Sequence, residues 1–168
     1  MSMADAIAII NKGKIQQVGT PDEVFNHPAN EFVASFIGEP SMNLFNCVLR
    51  KKNGELFLRT ENFEFMLPQE AKEKLEEKIL PEEVRVGVRP TNIHIAKSKK
   101  DQNSIPAEIY IFEPFGRYTI VTAKVNNMLL KIKARGHFKA IEAESVWLNF
   151  DTNKLRFFDK KTGSAIIT

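Results

Sequence analysis

The chain has 168 residues and a mass of 19.1 kDa, enough for one sizeable domain or two small ones. Its composition, 43% hydrophobic and 27% charged, excludes a disordered chain, and no apolar run approaches the roughly 20 residues of a membrane-spanning helix. A net charge of +3 spread along the chain neither favours nor excludes nucleic acid as a partner. With one cysteine, Cys47, and no recognisable signal peptide, we expect a reducing, cytoplasmic setting.

The first segment is predicted to fold as a hairpin followed by a helix. Residues 6–10 and 14–18 have the Ile-rich composition of short strands, and residues 11–13 form a three-residue loop that ends in glycine. Thr20 and Glu23 then have the spacing of a capping box, with a proline at the first helical position between them. This helix ends near residue 27, because the proline that follows disfavours helical geometry in the residue before it.

A second short helix is predicted within residues 30–38, from an asparagine cap to a glycine stop. Its apolar face carries Phe32, Val33, Phe36 and Ile37. A segment under about 40 residues rarely forms a core without a partner, so we interpret residues 1–38 as the end of a larger domain. We expect Phe25, Phe32 and Phe36 to be exposed, so that the segment packs against a second copy or is poorly ordered. Packing on the rest of the chain is the alternative.

The pattern changes at residues 39–41, Glu-Pro-Ser, which predicts a domain boundary and a second unit over residues 39–168. Ten short strands are predicted in this unit, at 44–50, 55–60, 63–67, 84–89, 93–96, 107–112, 118–125, 129–134, 145–150 and 155–158. One helix, 68–79, interrupts them, and residues 97–104 form a polar connector. Short strands at near-regular spacing predict a small β-barrel or sandwich.

No short motif of common catalytic chemistry is present in the sequence. Residues 13–15, Gly-Lys-Ile, lack the remainder of a phosphate-binding loop, and G-x-G-x-x-G, G-x-S-x-G, H-E-x-x-H and C-x-x-C are absent. His27, His94 and His137 lie far apart in sequence, which favours surface positions over metal ligation, and Cys47 is expected to be a small core residue. We therefore predict no catalytic, cofactor-binding or metal-binding residue in this chain.

Two sets of residues, in this order along the chain, resemble a known family. The first set, residues 8–15, 19–25, 28 and 32–38, resembles the end of the nucleotide-binding domain of ABC transporters. The second set comprises residues 42–43 (Met-Asn), 86–90 (Val-Gly-Val-Arg-Pro), 113–117 (Glu-Pro-Phe-Gly-Arg) and 157–163 (Phe-Phe-Asp-Lys-Lys-Thr-Gly). It is similar to the transport-associated OB (TOBE) domain that follows the ATPase in maltose/sugar importers. The resemblance implies a mainly β fold, an OB-fold-like small barrel with one inserted helix, preceded by a short α/β remnant of an ABC ATPase domain.

The resemblance also implies a role. The chain would be the C-terminal regulatory and dimerisation portion of the ATP-binding subunit of an ABC importer for sugars or similar solutes. ATP and magnesium would be bound by the parent protein, whose phosphate loop, signature sequence, catalytic glutamate and switch histidine would lie upstream, so this chain itself would not be an ATPase. The implied partners are a second copy, permease subunits, a solute-binding protein and a regulatory protein or small ligand. The implied location is the inner face of the cell membrane.

Five candidate regulatory or interface residues lie in the family-like motifs of the second unit. Arg89 and Pro90 end a strand, where proline contributes no amide donor and arginine either supports the structure or contacts a ligand or partner subunit. Glu113 and Arg117 flank a bend at Gly116, where they could pair with each other or with another chain. These positions are therefore predicted to be structural or interface positions rather than catalytic ones.

Two other functions remain as alternatives. A stand-alone OB-fold that binds single-stranded nucleic acid would use the alternating basic run at residues 131–139, although the thirteen phenylalanines are predicted to be core rather than a stacking platform. A small-ligand or oxyanion sensor would use Arg89, Arg117 and the sixth candidate, His137.

Overall fold

The computed structural model describes residues 4–76, 83–136, 138 and 141–167. It begins with an antiparallel hairpin of β1 (Ile7–Asn11) and β2 (Lys14–Gly19). Asn11 pairs directly with Lys14, so the loop has two residues rather than the predicted three. Lys12 and Gly13 both have positive φ, 48° and 76°, as a tight two-residue hairpin turn requires.

Two short helices follow, and each begins directly after the capping residue predicted from the sequence. In α1 (Pro21–Asn26) the Thr20 hydroxyl accepts from the Glu23 amide while the Glu23 carboxylate accepts from the Thr20 amide. In α2 (Glu31–Phe36) the Asn30 side chain accepts from the third helical amide. Hairpin and helices share a small apolar cluster formed by Ile9, Val24 and Val33 with Ile7, Phe32 and Ile37. We call residues 4–38 the N-terminal unit.

The rest of the described chain is mainly β, which confirms the predicted fold class. Its strands are β3 (Asn43–Lys52), β4 (Glu55–Arg59), β5 (Glu64–Met66), β6 (Glu83–Val88), β7 (Ile93–Ala96), β8 (Ile105–Pro114), β9 (Tyr118–Val125), β10 (Met128–Arg135), β11 (Ser145–Phe150), β12 (Arg156–Asp159) and β13 (Ala165–Ile167). The inserted helix is α3 (Gln69–Glu76), and the last predicted residues of that helix, 77–79, lie outside the described residues. The sequence pattern did not predict the short strand β13.

These strands form two sheets around one core. The six-stranded sheet has the order β13-β12-β6-β3-β4-β5, and the five-stranded sheet has the order β10-β9-β8-β11-β7. A 3₁₀ turn at Pro90–Asn92 carries the chain from one sheet to the other. Apolar side chains from both sheets form the shared core. Four aromatic rings, those of Phe45, Phe63, Phe65 and Phe150, lie against one another there with centroids 5.6–5.8 Å apart.

The N-terminal unit packs on these two sheets and their core, which we call the barrel. This packing is the alternative to the arrangement expected from the sequence. The Ala165 amide donates to the Ala29 carbonyl at 2.9 Å, and the Glu31 amide donates to the Gly163 carbonyl at the same distance. Ala34 lies in a buried cluster with Met42 and Phe158. Of the three phenylalanines expected to be exposed, Phe36 is, whereas Phe25 and Phe32 are half-buried. Among the described residues, no helix has the length and apolar character needed to cross a membrane.

Candidate functional site

Arg89 connects the barrel to both helices of the N-terminal unit. It follows β6, its side chain is buried, and its guanidinium donates to carbonyls at the C-terminal ends of α1 and α2. Nη2 bonds the Phe25 carbonyl at 2.7 Å, and Nη1 bonds the Ala34 carbonyl at 2.8 Å and the Ile37 carbonyl. The last carbonyls of a helix have no partner within the helix and carry partial negative charge. Arg89 therefore caps two helices with one side chain.

The environment of this guanidinium is buried and aromatic. Its central carbon lies 4.2 Å from the centroid of the Phe25 ring. Burial, followed by repulsion from Arg156, lowers the pKa of Arg89 to about 10, so the side chain still carries its charge at neutral pH. Gly38 leaves room for it, because a Cβ there would lie 3.1 Å from Nη1 of Arg89.

Two more arginines hold the same helices. Nε of Arg156, on β12, donates to the Asn26 carbonyl at 2.6 Å, and burial lowers the pKa of Arg156. Arg85, on β6, pairs with Glu31 of α2 at 3.3 Å. We call Arg85, Arg89 and Arg156, with the helix ends that they contact, the junction. Its hydrogen bonds make the N-terminal unit and the barrel one connected structure.

The predicted site residues Arg89 and Pro90 therefore lie at the junction. Pro90 is buried and begins the 3₁₀ turn in which the Asn92 amide donates to the Arg89 carbonyl at 2.9 Å. The sequence leaves two roles open for Arg89, which are support of the structure and contact with a ligand or partner subunit. These hydrogen bonds favour the structural role. The sequence signalled a strand exit here, but it did not reveal that two helix ends lie across from it.

Three other candidates, Glu113, Gly116 and Arg117, are exposed at the tip between β8 and β9. Gly116 has a φ of 70°, which makes the bend, and no ion pair joins Glu113 to Arg117 within the described part of the chain. The rings of Phe115 and Tyr118 stack across the bend with centroids 5.4 Å apart. The tip is therefore open to an outside partner.

A cleft of about 530 Å³ opens beside this tip. It lies between the 3₁₀ turn with β7 on one side and β10 on the other, and we call it the seam cleft. Its polar lining consists of Thr91, His94, Arg117, Tyr118, Lys133 and Arg135, with Ile93, Ile132 and Ala134 as the apolar part. Nζ of Lys133 lies 3.9 Å from the Tyr118 ring centroid and donates to the Glu39 carbonyl at 3.1 Å.

The seam cleft only partly matches the residues chosen from the sequence for a small ligand. Arg117 lines it, Arg89 is buried at the junction, and His137 lies outside the described residues. In the sequence, Lys133 and Arg135 stand out only as part of the basic run at residues 131–139. Their alternate spacing on one strand was the signal that they share a face.

Cys47 is buried in the barrel core, which confirms its interpretation as a small core residue. Burial raises the pKa of its thiol, so the nucleophilic thiolate is disfavoured. The aromatic rings at Phe45, Phe63, Phe65 and Phe150 are packed against the same core, where they cannot serve as an open stacking surface for bases.

Comparison with known proteins agrees with the motifs. Residues 38–93 match the family model described as the MalK OB fold domain. Over 99% of its length the chain is 32% identical to the uncharacterized ABC transporter ATP-binding protein YurJ of Bacillus subtilis and 34% identical to the trehalose/maltose import ATP-binding protein MalK of Thermococcus litoralis. The resemblance to ABC transporter ATP-binding proteins is confirmed. The chain spans 46% and 45% of these two relatives, less than half of each.

A solved structure supports the fold alone. The cytoplasmic molybdate-binding protein ModG superimposes with a TM-score of 0.53 at 10% sequence identity, over 68% of this chain and 94% of that one. At this identity the likeness concerns the arrangement of strands and carries nothing about ligands.

Proposed function

We propose that this chain is the C-terminal regulatory and dimerisation portion of the ATP-binding subunit of an ABC importer for sugars or similar solutes. The observation that carries the proposal is the match along 99% of the chain to ATP-binding proteins, one of them named for trehalose/maltose import. The whole protein would bind ATP and magnesium and couple hydrolysis to uptake. It would work with permease subunits and a solute-binding protein at the inner face of the cell membrane.

The junction supports a regulatory role, because it would transmit force between the two units. Helices α1 and α2 are held to the barrel by hydrogen bonds from Arg89 and Arg156, so a displacement of the barrel would move the helix ends. A regulator bound to the barrel would then bias the ATPase between its states by the difference in its affinity for those states.

Exposed apolar residues suggest two different contacts. Ile10, Ile15 and Val18 on the β1–β2 hairpin are exposed, and in the whole protein they would pack against the remainder of the ATPase domain. Ile111 and Phe115, near the tip of the barrel, are also exposed and would contact a second copy. A two-fold pair would use the same patch on both copies.

Sedimentation equilibrium over a wide concentration range tests the dimerisation part. We expect a reversible dimer that Phe115→Ser weakens and that Ile15→Ser leaves unchanged. A strict monomer at the highest concentration would contradict dimerisation. Loss of the dimer in Ile15→Ser alone would mean that the hairpin face, and not the barrel, makes the contact.

An ATPase assay tests the division of labour. The chain alone is expected to release no phosphate from ATP above the buffer blank, because the parts that position the triphosphate and the attacking water would lie in the rest of the protein. Magnesium-dependent turnover by this chain would contradict the proposal.

A further inference from the structure

The five-stranded sheet curls so that its two edge strands, β7 and β10, line the same cleft. On part of the β10 edge, a side chain of the other sheet takes the hydrogen-bonding place of a neighbouring strand. The Asn43 amide donates to the Lys131 carbonyl at 2.8 Å, and its oxygen accepts from the Lys131 amide at 2.8 Å. Further along β10, residues 132–135 line the edge of the seam cleft. Edge strands leave backbone donors and acceptors without strand partners, so this part of the edge is suited to bind something.

The charge of the seam cleft has one sign. Arg117, Lys133 and Arg135 line it together with the imidazole of His94, and no carboxylate is among the described lining residues. The guanidinium groups of Arg117 and Arg135 are exposed and have no hydrogen-bond or ion-pair partner in the described ranges. Like charges held close together repel, and an anion between them relieves that repulsion.

The backbone brings these residues together. Arg135 pairs with Tyr118 in the β9–β10 register, and the Gly136 amide donates to the Arg117 carbonyl at 3.1 Å, so the two arginines are held on adjacent chain segments. Lys133 is fixed by the Glu39 carbonyl and the Tyr118 ring. A site whose charged residues already lie on adjacent backbone segments loses less entropy when it binds an anion.

The remaining accessible wall is apolar, with Ala134 on β10 and the Tyr118 side chain beside the cations. We propose that the seam cleft binds a small phosphorylated metabolite. Arg117 and Arg135 hold the phosphate, since guanidinium groups match phosphate oxygens in two-point hydrogen bonds. The carbon skeleton of the metabolite lies against Ala134 and the Tyr118 side chain. The cleft volume of about 530 Å³ is in the range of small-molecule sites. This binding does not depend on the subunit role proposed above.

Isothermal titration of the 168-residue chain with glucose 6-phosphate tests the proposal, with inorganic phosphate as a second titrant. We expect saturable one-to-one binding of glucose 6-phosphate and weaker binding of inorganic phosphate. Arg117→Gln and Arg135→Gln should each weaken the binding about tenfold or more, because each removes a charge-assisted contact. Arg50→Gln, an exposed arginine on β3, is the matched control and should bind as the parent does. Thermal melts of all three variants verify that they are folded.

Four results would overturn the proposal. The first is the absence of saturable binding of either titrant. The second is equal weakening in Arg50→Gln, which would mean attraction to the overall charge and no defined site. The third is salt-sensitive binding of a single-stranded oligonucleotide that the cleft variants abolish and that glucose 6-phosphate does not displace. The fourth is binding of inorganic phosphate as tightly as glucose 6-phosphate, because the carbon skeleton of the metabolite would then contribute nothing to the affinity.

Discussion

The junction and the seam cleft are both rich in arginine, but they use it in opposite ways. At the junction, Arg89 is buried and its two terminal nitrogens donate to carbonyls that two helices leave without partners. At the seam cleft, Arg117 and Arg135 are exposed, and their guanidinium groups contact no carbonyl or carboxylate in the described ranges. The same residue type thus stabilises the fold in one region and is available for binding in the other.

The difference lies in what surrounds each charge. Removing a guanidinium from water is costly unless hydrogen bonds replace the lost solvation, and the helix ends supply those bonds to Arg89. No such acceptors face Arg117, which therefore remains in solvent. Substitution of arginine should consequently change stability in one region and ligand binding in the other.

The largest effect is expected for Arg89→Met. This change retains an unbranched apolar stem but leaves the carbonyls of Phe25, Ala34 and Ile37 without their donor in a buried environment. We expect a loss of about 3 kcal/mol in the free energy of unfolding, measured by urea denaturation. The N-terminal unit should loosen first, as faster amide hydrogen exchange in α1 and α2.

Arg117→Gln is the counterpart in the seam cleft and should change the unfolding free energy by no more than about 0.5 kcal/mol, as for other exposed positions. If Arg89→Met and Arg117→Gln lower the free energy of unfolding by the same amount, the contrast between a structural arginine and an unpaired one is wrong. Arg89→Lys tests the geometry of the group at constant charge. The single ammonium group of lysine cannot reproduce the hydrogen bonds that the planar guanidinium donates to three carbonyls.

The second prediction compares two glycines with positive φ. Gly38, at the junction, has a φ of 115°, and a methyl group there would lie 3.1 Å from Nη1 of Arg89 and 3.4 Å from the Phe25 ring. Gly116, at the open tip, has a φ of 70° and no heavy atom within 4 Å of an added Cβ. Gly38→Ala should lower the free energy of unfolding by about 2 kcal/mol and Gly116→Ala by about 1 kcal/mol. The first variant has both backbone strain and crowding, whereas the second has backbone strain alone. Equal losses in thermal melts would mean that crowding at the junction does not matter.

The third prediction concerns the closed part of the β10 edge. Asn43→Ala removes both hydrogen bonds to the Lys131 backbone, and we expect it to lower the unfolding free energy by about 1 kcal/mol. Hydrogen exchange of the Lys131 amide should accelerate more than that of other β10 amides. Asn46→Ala, at an exposed position of the same strand, is the control. If the Lys131 amide exchanges as fast in Asn46→Ala as in Asn43→Ala, the two hydrogen bonds from Asn43 are not what protects this part of the edge.

Much of the fold could be predicted because its signals are local. The capping box at Thr20, the asparagine cap at Asn30 and the alternating strands each depend on neighbours within a few residues. The motif order along the chain then identified the OB-fold type. The three-residue loop predicted between the first strands was wrong, because Lys12 adopts positive φ although it is not a glycine.

The sites could be predicted only in part, since they depend on contacts between residues distant in sequence. Arg89 contacts carbonyls more than fifty positions earlier in the chain, and no local pattern indicates that arrangement. The seam cleft brings His94 from β7 together with Arg117 and Arg135, and only the curl of the sheet places them side by side. The composition of the basic run showed the charge but not the cleft beside it.

The smallest effect is expected at the opposite end of α1 from Arg89. The Glu23 carboxylate accepts from the Thr20 amide at 2.8 Å, and this bond, with help from the Thr20 hydroxyl, lowers the pKa of Glu23 below its usual 4.5. Folding therefore favours the ionised form, so the carboxylate adds stability above pH 4.5 and loses it as the pH falls through the lowered value. Glu23→Gln should melt slightly below the parent at neutral pH, and the gap should close as the pH drops below 4.5. Glu142→Gln, an exposed acid outside any helix start, is the control, and a gap of the same size and pH dependence there would mean that net charge, and not the capping box, is responsible.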